Sequence, residues 1–336
     1  MEPQIIEIKK LSIQFSVNGQ LNNAVQNVSF SLSKGETLGI VGESGSGKSL
    51  SSLAIMGLLP PSAIISSGDI IYHENEEKKI NLLQASEDYK RHLRGNKIAM
   101  IFQEPMTSLN PVFTCGDQVM EAILAHNKIS KKEAKDKVLQ LFSEVLLPDP
   151  EKAFNSYPFQ LSGGQKQRIM IAMAMSCNPS LIIADEPTTA LDVTVQKTIL
   201  ELLKNLQKKY NLSIIFISHD LGVIADIAHR VIVMYKGKIM EEGITRQLLL
   251  SPQNEYTKGL LACRPSSENR VKTLAVVSDF IDGKEHKPVI ISNEERKTNH
   301  KKIYEREPVL KICNLKVVFP VRSEERRVGK ECRSRW

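Results

Sequence analysis

Short apolar runs alternate with segments of helical periodicity along most of the chain, and these runs are predicted to be strands. The runs at 37–41, 97–102, 181–184 and 213–218 are almost wholly apolar, which predicts strands buried on both faces. Strands that alternate with helices predict a parallel α/β sheet with ligands at the carboxyl ends of its strands. Further strands are predicted at 5–13, 25–32, 230–235 and 238–242, and helices at 49–57, 117–126, 131–145, 193–210 and from 163 onward.

The first chemical signal is the phosphate loop, Gly42-Glu43-Ser44-Gly45-Ser46-Gly47-Lys48-Ser49, which follows a predicted strand and opens a predicted helix. Its glycines let the backbone wrap around phosphate groups, so that several amide N–H groups point inward at a helix N-terminus. Lys48 supplies a positive charge for the β- and γ-phosphates of a nucleotide, and the Ser49 hydroxyl is a ligand for Mg²⁺. By itself this loop predicts nucleotide binding and nothing more specific.

Four further segments follow the phosphate loop in order. They are Gln103 within IFQEP, LSGGQ at 161–165, LIIADEP at 181–187, and Ser218-His219-Asp220. Together the five segments resemble the nucleotide-binding subunit of an ABC transporter, over about 5–261. The resemblance implies an α/β P-loop NTPase fold with an inserted helical subdomain at about 104–165 and an antiparallel β subdomain.

The same resemblance implies chemical roles at the carboxyl ends of the strands. Asp185 would hold Mg²⁺ through water, and Glu186 would be the general base that polarises the attacking water. His219 would contact the γ-phosphate, while Gln103 would contact Mg²⁺, sense the γ-phosphate and relay that state to the helical subdomain. An acidic pair that only caps a strand is the alternative, and the family-like Ala190-Leu191-Asp192 that follows argues against it.

The LSGGQ segment implies a partner module. Ser162, Gly163, Gly164 and Gln165 would bind the γ-phosphate of an ATP molecule held by the opposite module, at a second helix N-terminus. Two modules would close on two nucleotides, so that a lone module cannot complete its own site. Phe15 would stack on adenine, because it lies on an early strand as the family's aromatic residue does; the alternative is an ordinary core phenylalanine.

The segments 103–111, 218–241 and 251–265 resemble the oligopeptide, dipeptide and nickel importers within this family. This implies an ATP-binding and ATP-hydrolysing subunit that powers import of peptides or a related small substrate. It would lie at the cytoplasmic face of a bacterial inner or plasma membrane. The implied partners are transmembrane permease subunits, a second ABC module (fused or separate) and, indirectly, an extracytoplasmic substrate-binding protein. Cargo is selected by those other subunits, so this sequence does not name the substrate.

Other function classes fit less well. A soluble tandem ABC ATPase acting on ribosomes or nucleic acid would also show a domain repeat. It is expected to lack the importer-like sequence at 103–111 and the extension at 251–265. A DNA-repair ABC ATPase would need a long coiled coil or zinc modules between its motifs, and 103–161 has no room for them. The net charge of +7 falls to +4 without residues 322–336, which carry +3, so no nucleic-acid partner is expected.

The spacing of the cysteines and the hydropathy of the chain bear on metal binding, redox environment and membrane insertion. The five cysteines lack metal-binding spacing, which predicts free thiols in a reducing compartment. Some ATPases of peptide importers carry a cysteine cluster in their C-terminal extension, but only Cys263 lies there, so no iron–sulfur cluster is expected. The N-terminus shows no secretory signal, and the uncharged stretch 169–184 is too short to span a membrane. The protein is therefore expected to dock on a membrane.

Residues 5–17 and 309–321 are alike, with identical residues at Ile8/Ile312, Leu11/Leu315, Phe15/Phe319 and Val17/Val321. A repeated opening strand predicts a second copy of the domain, and the alternative is two strands of similar composition. Residues 322–336 lack apolar periodicity and are interpreted as a non-native tail. The predicted organisation is an ABC ATPase domain at 1–250, an importer-type extension at 251–285, a charged linker at 286–307, the start of a second module at 308–321 and the tail at 322–336.

Overall fold

The computed structural model describes residues 3–17, 20–75, 77–103, 108–189, 191–263, 270–283 and 289–318. The predicted segments include residues outside these ranges, namely 1–2, 18–19, 76, 104–107, 190, 264–269, 284–288 and 319–336. The described residues within 1–264 and 275–286 form one compact unit, and those within 265–274 and 287–336 form a second. All of the predicted site residues belong to the first unit.

The elements are numbered here in chain order. The strands are β1 Gln4–Val17, β2 Gln20–Ser33, β3 Thr37–Val41, β4 Ala63–His73, β5 Lys79–Asn81, β6 Ile98–Ile101, β7 Leu181–Asp185, β8 Ser213–Ser218, β9 Arg230–Tyr235 and β10 Lys238–Ile244. The helices are α1 Lys48–Met56, α2 Glu87–Leu93, α3 Cys115–His126, α4 Lys131–Glu144, α5 Pro150–Asn155, α6 Gly163–Met175, α7 Val193–Tyr210, α8 Leu221–Ile227, α9 Thr245–Leu250, α10 Glu255–Ala262, α11 Val277–Ile281 and α12 Asn293–Tyr304. Among the described residues, no helix is both long and apolar enough to cross a bilayer.

The core of the first unit is a six-stranded sheet in the order β10-β9-β3-β8-β7-β6. Its strands are parallel except for β10, which forms the predicted antiparallel hairpin with β9. Strands β3, β7 and β8 are buried at every residue, as their continuous apolar sequences predict. Alternation along β7 sends Ile182 and Ala184 into one apolar cluster and Leu181 and Ile183 into another, so both faces of the sheet are covered.

A second sheet, in the antiparallel order β2-β1-β4-β5, contributes to the same apolar cluster as α1 and one face of the core sheet. The predicted antiparallel β subdomain is therefore present. Strands β4 and β5 were not predicted, because the polar run Ser66-Ser67-Gly68-Asp69 interrupts the apolar pattern of β4 and β5 has only three residues. Gly68 lies inside β4 with a φ of +107°, and a Cβ there would sit 2.6 Å from the Cα of Leu11. This close approach of β4 to β1 requires glycine.

The inserted helical subdomain consists of α3, α4 and α5, which pack against one another, and α3 and α4 also pack against α6. Helix α4 begins with a capping box, in which the Ser130 hydroxyl accepts from the Glu133 amide and the Glu133 carboxylate accepts from the Ser130 amide. Val119 of α3 and both Val138 and Phe142 of α4 are fully buried. The two helices predicted at 117–126 and 131–145 are confirmed, with bounds that differ by one or two residues.

The C-terminal elements divide between the two units. Helices α10 and α11 belong to the first unit and pack together, and the Cys263 thiol donates a hydrogen bond to the Ala275 carbonyl oxygen at 2.9 Å. In the second unit, the predicted charged linker contains helix α12, which is capped by Ser292 and wholly exposed. Residues 309–318 have no regular secondary structure and are exposed throughout. That they begin a second module stays a prediction.

Candidate nucleotide-binding site

The phosphate loop joins β3 to α1 and holds a buried cation. Lys48 is only 5% exposed, and its Nζ donates to the carbonyl oxygens of Gly42 and Glu43, each at 2.8 Å. Burial lowers the pKa of Lys48, while the nearby carboxylates of Glu186 and Asp185 oppose this shift. The ammonium group is therefore held beside two acidic side chains at the carboxyl end of the sheet.

Two glycines allow the loop to lie against neighbouring strands. Gly42 has a φ of +154°, and a Cβ there would lie 2.1 Å from the carbonyl oxygen of Met234 in β9. Gly47 has a φ of +98°, and a Cβ there would lie 2.9 Å from the carbonyl oxygen of Ala24 in β2. The turn between β9 and β10 adds a hydrogen bond from the Gly237 amide to the Ser46 carbonyl oxygen at 3.1 Å. The loop is braced on two sides before any ligand binds.

The structure predicts different effects for alanine substitutions at two glycines of the phosphate loop, Gly42 and Gly45. Gly42→Ala is expected to lower the free energy of unfolding by about 2–3 kcal/mol and to abolish tight ATP binding, because the new methyl group collides with backbone. Gly45→Ala is the matched control, since a Cβ at Gly45 meets nothing within 4 Å and only its φ of +78° is unfavourable. It is expected to lower the free energy of unfolding by about 1–2 kcal/mol. Denaturant unfolding and ATP titration of both variants check this, and equal effects would contradict it.

Ser49 and Asp185 meet at the first turn of α1 and the end of β7. The Ser49 hydroxyl donates to Asp185 Oδ1 at 3.1 Å, and Asp185 is 4% exposed. Burial raises the pKa of Asp185, and the hydrogen bond from Ser49 opposes the rise. A hydroxyl and a carboxylate are oxygen donors of the kind that Mg²⁺ prefers, so the side chains present fit that ion.

Glu186 is where the predicted catalytic residues come together. Its Oε2 accepts from Gln103 Nε2 at 3.4 Å and from the Thr189 hydroxyl at 2.9 Å, and it lies 3.0 Å from His219 Nδ1. Its backbone adopts a φ of +47°, which is uncommon for a residue other than glycine. The Glu186 amide donates to the Ile217 carbonyl oxygen of β8 at 3.0 Å, which fixes this conformation. The carboxylate is thus oriented by the nearby Thr189 and by two groups distant in sequence, Gln103 and His219.

Thr189 is a candidate site residue that was not predicted from the sequence. Its amide donates to the Glu186 carbonyl oxygen at 3.2 Å, so residues 186–189 form a turn that returns the Thr189 hydroxyl to the carboxylate. Thr189 lies three residues after the acidic Glu186 and two after Pro187, just past the end of a strand. From this spacing, a turn that brings the Thr189 hydroxyl to Glu186 could have been predicted.

The LSGGQ segment forms the N-terminus of α6. The Ser162 hydroxyl accepts from the Gln165 amide at 3.3 Å, and Gln165 Oε1 accepts from the Ser162 amide at 2.9 Å. Gln165 therefore has a structural role as the second half of a capping box. Gly163 is exposed, and amides in the first turn of a helix have no partner within the helix. The predicted contact of this turn with a second module's nucleotide stays a prediction.

Phe15 is half-buried near the end of β1, opposite Asn22 of β2 and Ala63 of β4. In the same β1–β2 hairpin, Val25 pairs with Ile13. Val25 also lies against Gly47, so the hairpin that carries Phe15 borders the phosphate loop. Adenine stacking on Phe15 stays a prediction.

Known proteins share these features. A family model described as ABC transporter matches residues 25–189. The chain is 43% identical over 324 residues to the glutathione import ATP-binding protein GsiA of Pectobacterium atrosepticum, covering 96% of the chain and 51% of that protein. It is 45% identical over 321 residues to GsiA of Escherichia coli (strain K12), covering 95% of the chain and 51% of that protein. The chain thus spans about half the length of these curated relatives.

Solved structures match over most of the first unit. The dimeric structure of MJ0796, a bacterial ABC transporter cassette, is 30% identical with a TM-score of 0.64, covering 72% of this chain and 99% of that one. A post-hydrolysis dimer of the MJ0796 ATP-binding cassette, bound to ADP and phosphate, is 28% identical with a TM-score of 0.64, at the same coverage. The expected P-loop α/β fold with its helical and antiparallel subdomains is confirmed by these matches.

Proposed function

Because the chain belongs to the ABC transporter family of ATP-binding proteins, we propose that it binds and hydrolyses ATP to power import through a membrane transporter. The observation that carries this proposal is the Glu186 carboxylate, which Gln103, Thr189 and His219 surround beside the Ser49–Asp185 pair. A site that only bound nucleotide would not need a carboxylate oriented in this way.

The chemistry follows from the positions of these groups. Phosphate groups enter among the amides of the phosphate loop, and Lys48 Nζ exchanges the Gly42 and Glu43 carbonyl oxygens for phosphate oxygens. Ser49 and Asp185 would hold Mg²⁺, which neutralises charge on the phosphates. Glu186 orients the attacking water and takes its proton as general base.

The amides at the start of α6 have the chemistry to bind a phosphate group, and we propose that they act on the nucleotide of a second ABC module. The dimeric cassette described above supports this arrangement. A second module could be fused to this one or be a separate chain. The likeness between residues 5–17 and 309–321 favours a fused module.

We further propose that permease subunits contact an apolar groove between β6 and the helical subdomain. Its lining includes Met100 of β6, Phe102 just after that strand, Ala122 of α3, and Met170 and Met173 of α6. Phe102 is 42% exposed and immediately precedes Gln103, which contacts Glu186. A permease segment in this groove would therefore act on the site through Gln103.

The substrate class rests on relatives rather than on this chain's own residues. The curated relatives are named for import of glutathione, which is itself a small peptide. We propose peptides or a related small molecule as cargo, selected by the permease and an extracytoplasmic binding protein. The chain would then act from the cytoplasmic face of a bacterial membrane as a peripheral subunit.

The test is stimulation of ATP turnover by a partner. Purified protein is assayed for Mg²⁺-dependent phosphate release with vesicles that carry candidate permease subunits, with empty vesicles, and with ribosomes or nucleic acid. Stimulation by the permease vesicles alone is the expected result. Stimulation by ribosomes or nucleic acid alone would instead favour the soluble tandem ATPase.

A further inference from the structure

A tyrosine of the C-terminal extension reaches the phosphate loop. The amide N–H of Glu43 donates to the hydroxyl oxygen of Tyr256 in α10, with an N···O distance of 3.2 Å. Tyr256 is 1% exposed, and its ring packs on Tyr235 of β9 with centroids 4.3 Å apart. The hydroxyl therefore approaches the loop from inside the protein.

The Tyr256 hydroxyl contacts the Gly42–Glu43 peptide group, which also binds Lys48. The Glu43 N–H and the Gly42 carbonyl belong to one planar peptide group and point in opposite directions. That Gly42 carbonyl oxygen accepts from Lys48 Nζ at 2.8 Å. Tyr256 therefore holds one edge of the peptide plane while Lys48 is bound at the other. If the plane rotates, the resting position of the Lys48 ammonium changes.

Tyr256 is itself held in place by hydrogen bonds around the start of α10. The Glu241 carboxylate accepts from the Gln253 amide at 2.8 Å and from the Asn254 amide at 3.1 Å. The Asn254 side chain then accepts from the Tyr256 amide at 2.9 Å. The anchor of the loop is thus connected to β10 as well as to β9.

We infer that Tyr256 is a positioning residue for nucleotide binding, through which the C-terminal extension keeps the phosphate loop in its binding conformation. This inference rests on the proposed function, because it assumes that the phosphate loop binds ATP. Without the hydroxyl, the Gly42–Glu43 peptide loses its fixed orientation, and a nucleotide must order the loop as it binds.

The test compares Tyr256→Phe with Tyr235→Phe, which removes the other hydroxyl of the same pair of packed rings. Among the described contacts, the Tyr235 hydroxyl makes no hydrogen bond to the loop. Calorimetric titration with Mg-ADP, which needs no second module, is expected to show a Kd about three- to tenfold higher for Tyr256→Phe, as the loss of one neutral hydrogen bond predicts. The Kd of Tyr235→Phe is expected to equal that of the unchanged chain.

Hydrogen exchange separates positioning from general loss of stability. In the nucleotide-free protein, Tyr256→Phe is expected to speed exchange in the peptide that contains residues 42–46, while Tyr235→Phe does not. Unchanged affinity in Tyr256→Phe, or equal weakening by both variants, would overturn the inference. Failure of the unchanged chain to bind Mg-ADP would instead overturn the proposed function.

If Tyr256→Phe does not fold, the Glu241→Ala variant tests the inference instead. That variant releases the Gln253 and Asn254 amides without altering Tyr256 or the loop. Glu241→Ala is also expected to raise the Kd for Mg-ADP. An affinity equal to that of the unchanged chain would overturn the inference.

Discussion

Replacing Glu186 by glutamine is expected to lower ATP turnover by about 10²–10⁴-fold, the usual contribution of a general base. Glutamine has nearly the same shape and can still accept from Thr189, but it cannot take a proton from water. Lys48 and the loop amides are unchanged, so ATP affinity is expected to stay within about twofold. Phosphate release and nucleotide titration are measured on the same preparation. Near-normal turnover would contradict the assignment of Glu186 as the base.

Two further variants test whether the effect is specific to Glu186 and whether His219 is the base instead. Glu201→Gln removes the same charge from an exposed position on α7, and it is expected to leave turnover unchanged. His219→Ala removes the imidazole that lies 3.0 Å from Glu186 Oε2, and it tests whether His219 is the base instead. Turnover abolished by His219→Ala but retained by Glu186→Gln would assign the proton transfer to His219.

Replacing Lys48 by alanine is expected to weaken ATP binding by about 10²-fold or more. Hydrogen bonds to charged groups contribute about 1.5–3 kcal/mol each, and Lys48 is placed to make at least two with phosphate oxygens. No other cation is described in the phosphate loop, Gly42 to Ser49, so the lost charge is not replaced. Equilibrium titration with ATP in the presence of Mg²⁺ measures the effect.

The matched control for this variant is Lys208→Ala, which removes a lysine from an exposed position near the end of α7. Its ATP affinity is expected to equal that of the unchanged chain, because solvent and salt screen the exposed Lys208 charge. ATP affinity that is unchanged in Lys48→Ala would refute the role of Lys48, whatever the control shows.

Elements with strong local signals could be predicted closely from the sequence. Helix α7 begins after Asp192, whose side chain caps it, and ends at Asn211 in the left-handed conformation, which matches the predicted bounds 193–210. Strand β8 also has its predicted bounds, because its apolar run is continuous and sits between polar residues. The same holds for the phosphate loop, where glycine spacing reflects backbone requirements at Gly42 and Gly47.

The parts that were missed depend on contacts distant in sequence. Strand β4 is defined by its pairing with β1 and not by its own pattern. Tyr256 lies 213 positions after Glu43, and no spacing rule connects a tyrosine on a short helix with a loop amide. The capping role of Gln165, which the sequence S-x-x-Q encodes, was also not predicted, whereas the predicted contact of Gln165 with nucleotide stays a prediction.

We propose that ATP is hydrolysed at a site shared between the phosphate loop of one module and the Ser162–Gly164 turn of another. Mixing the Lys48→Ala and Gly163→Asp variants tests this proposal. Asp is well tolerated at a helix N-terminus, so the fold is kept, but its carboxylate repels the γ-phosphate. Both variants are assayed alone and together, at a concentration where the unchanged chain releases phosphate from ATP.

Each variant alone is expected to be inactive. In a mixed pair, the intact phosphate loop of the Gly163→Asp chain faces the intact turn of the Lys48→Ala chain, so mixing is expected to restore phosphate release. A mixture that stays as inactive as its two components would contradict a shared site.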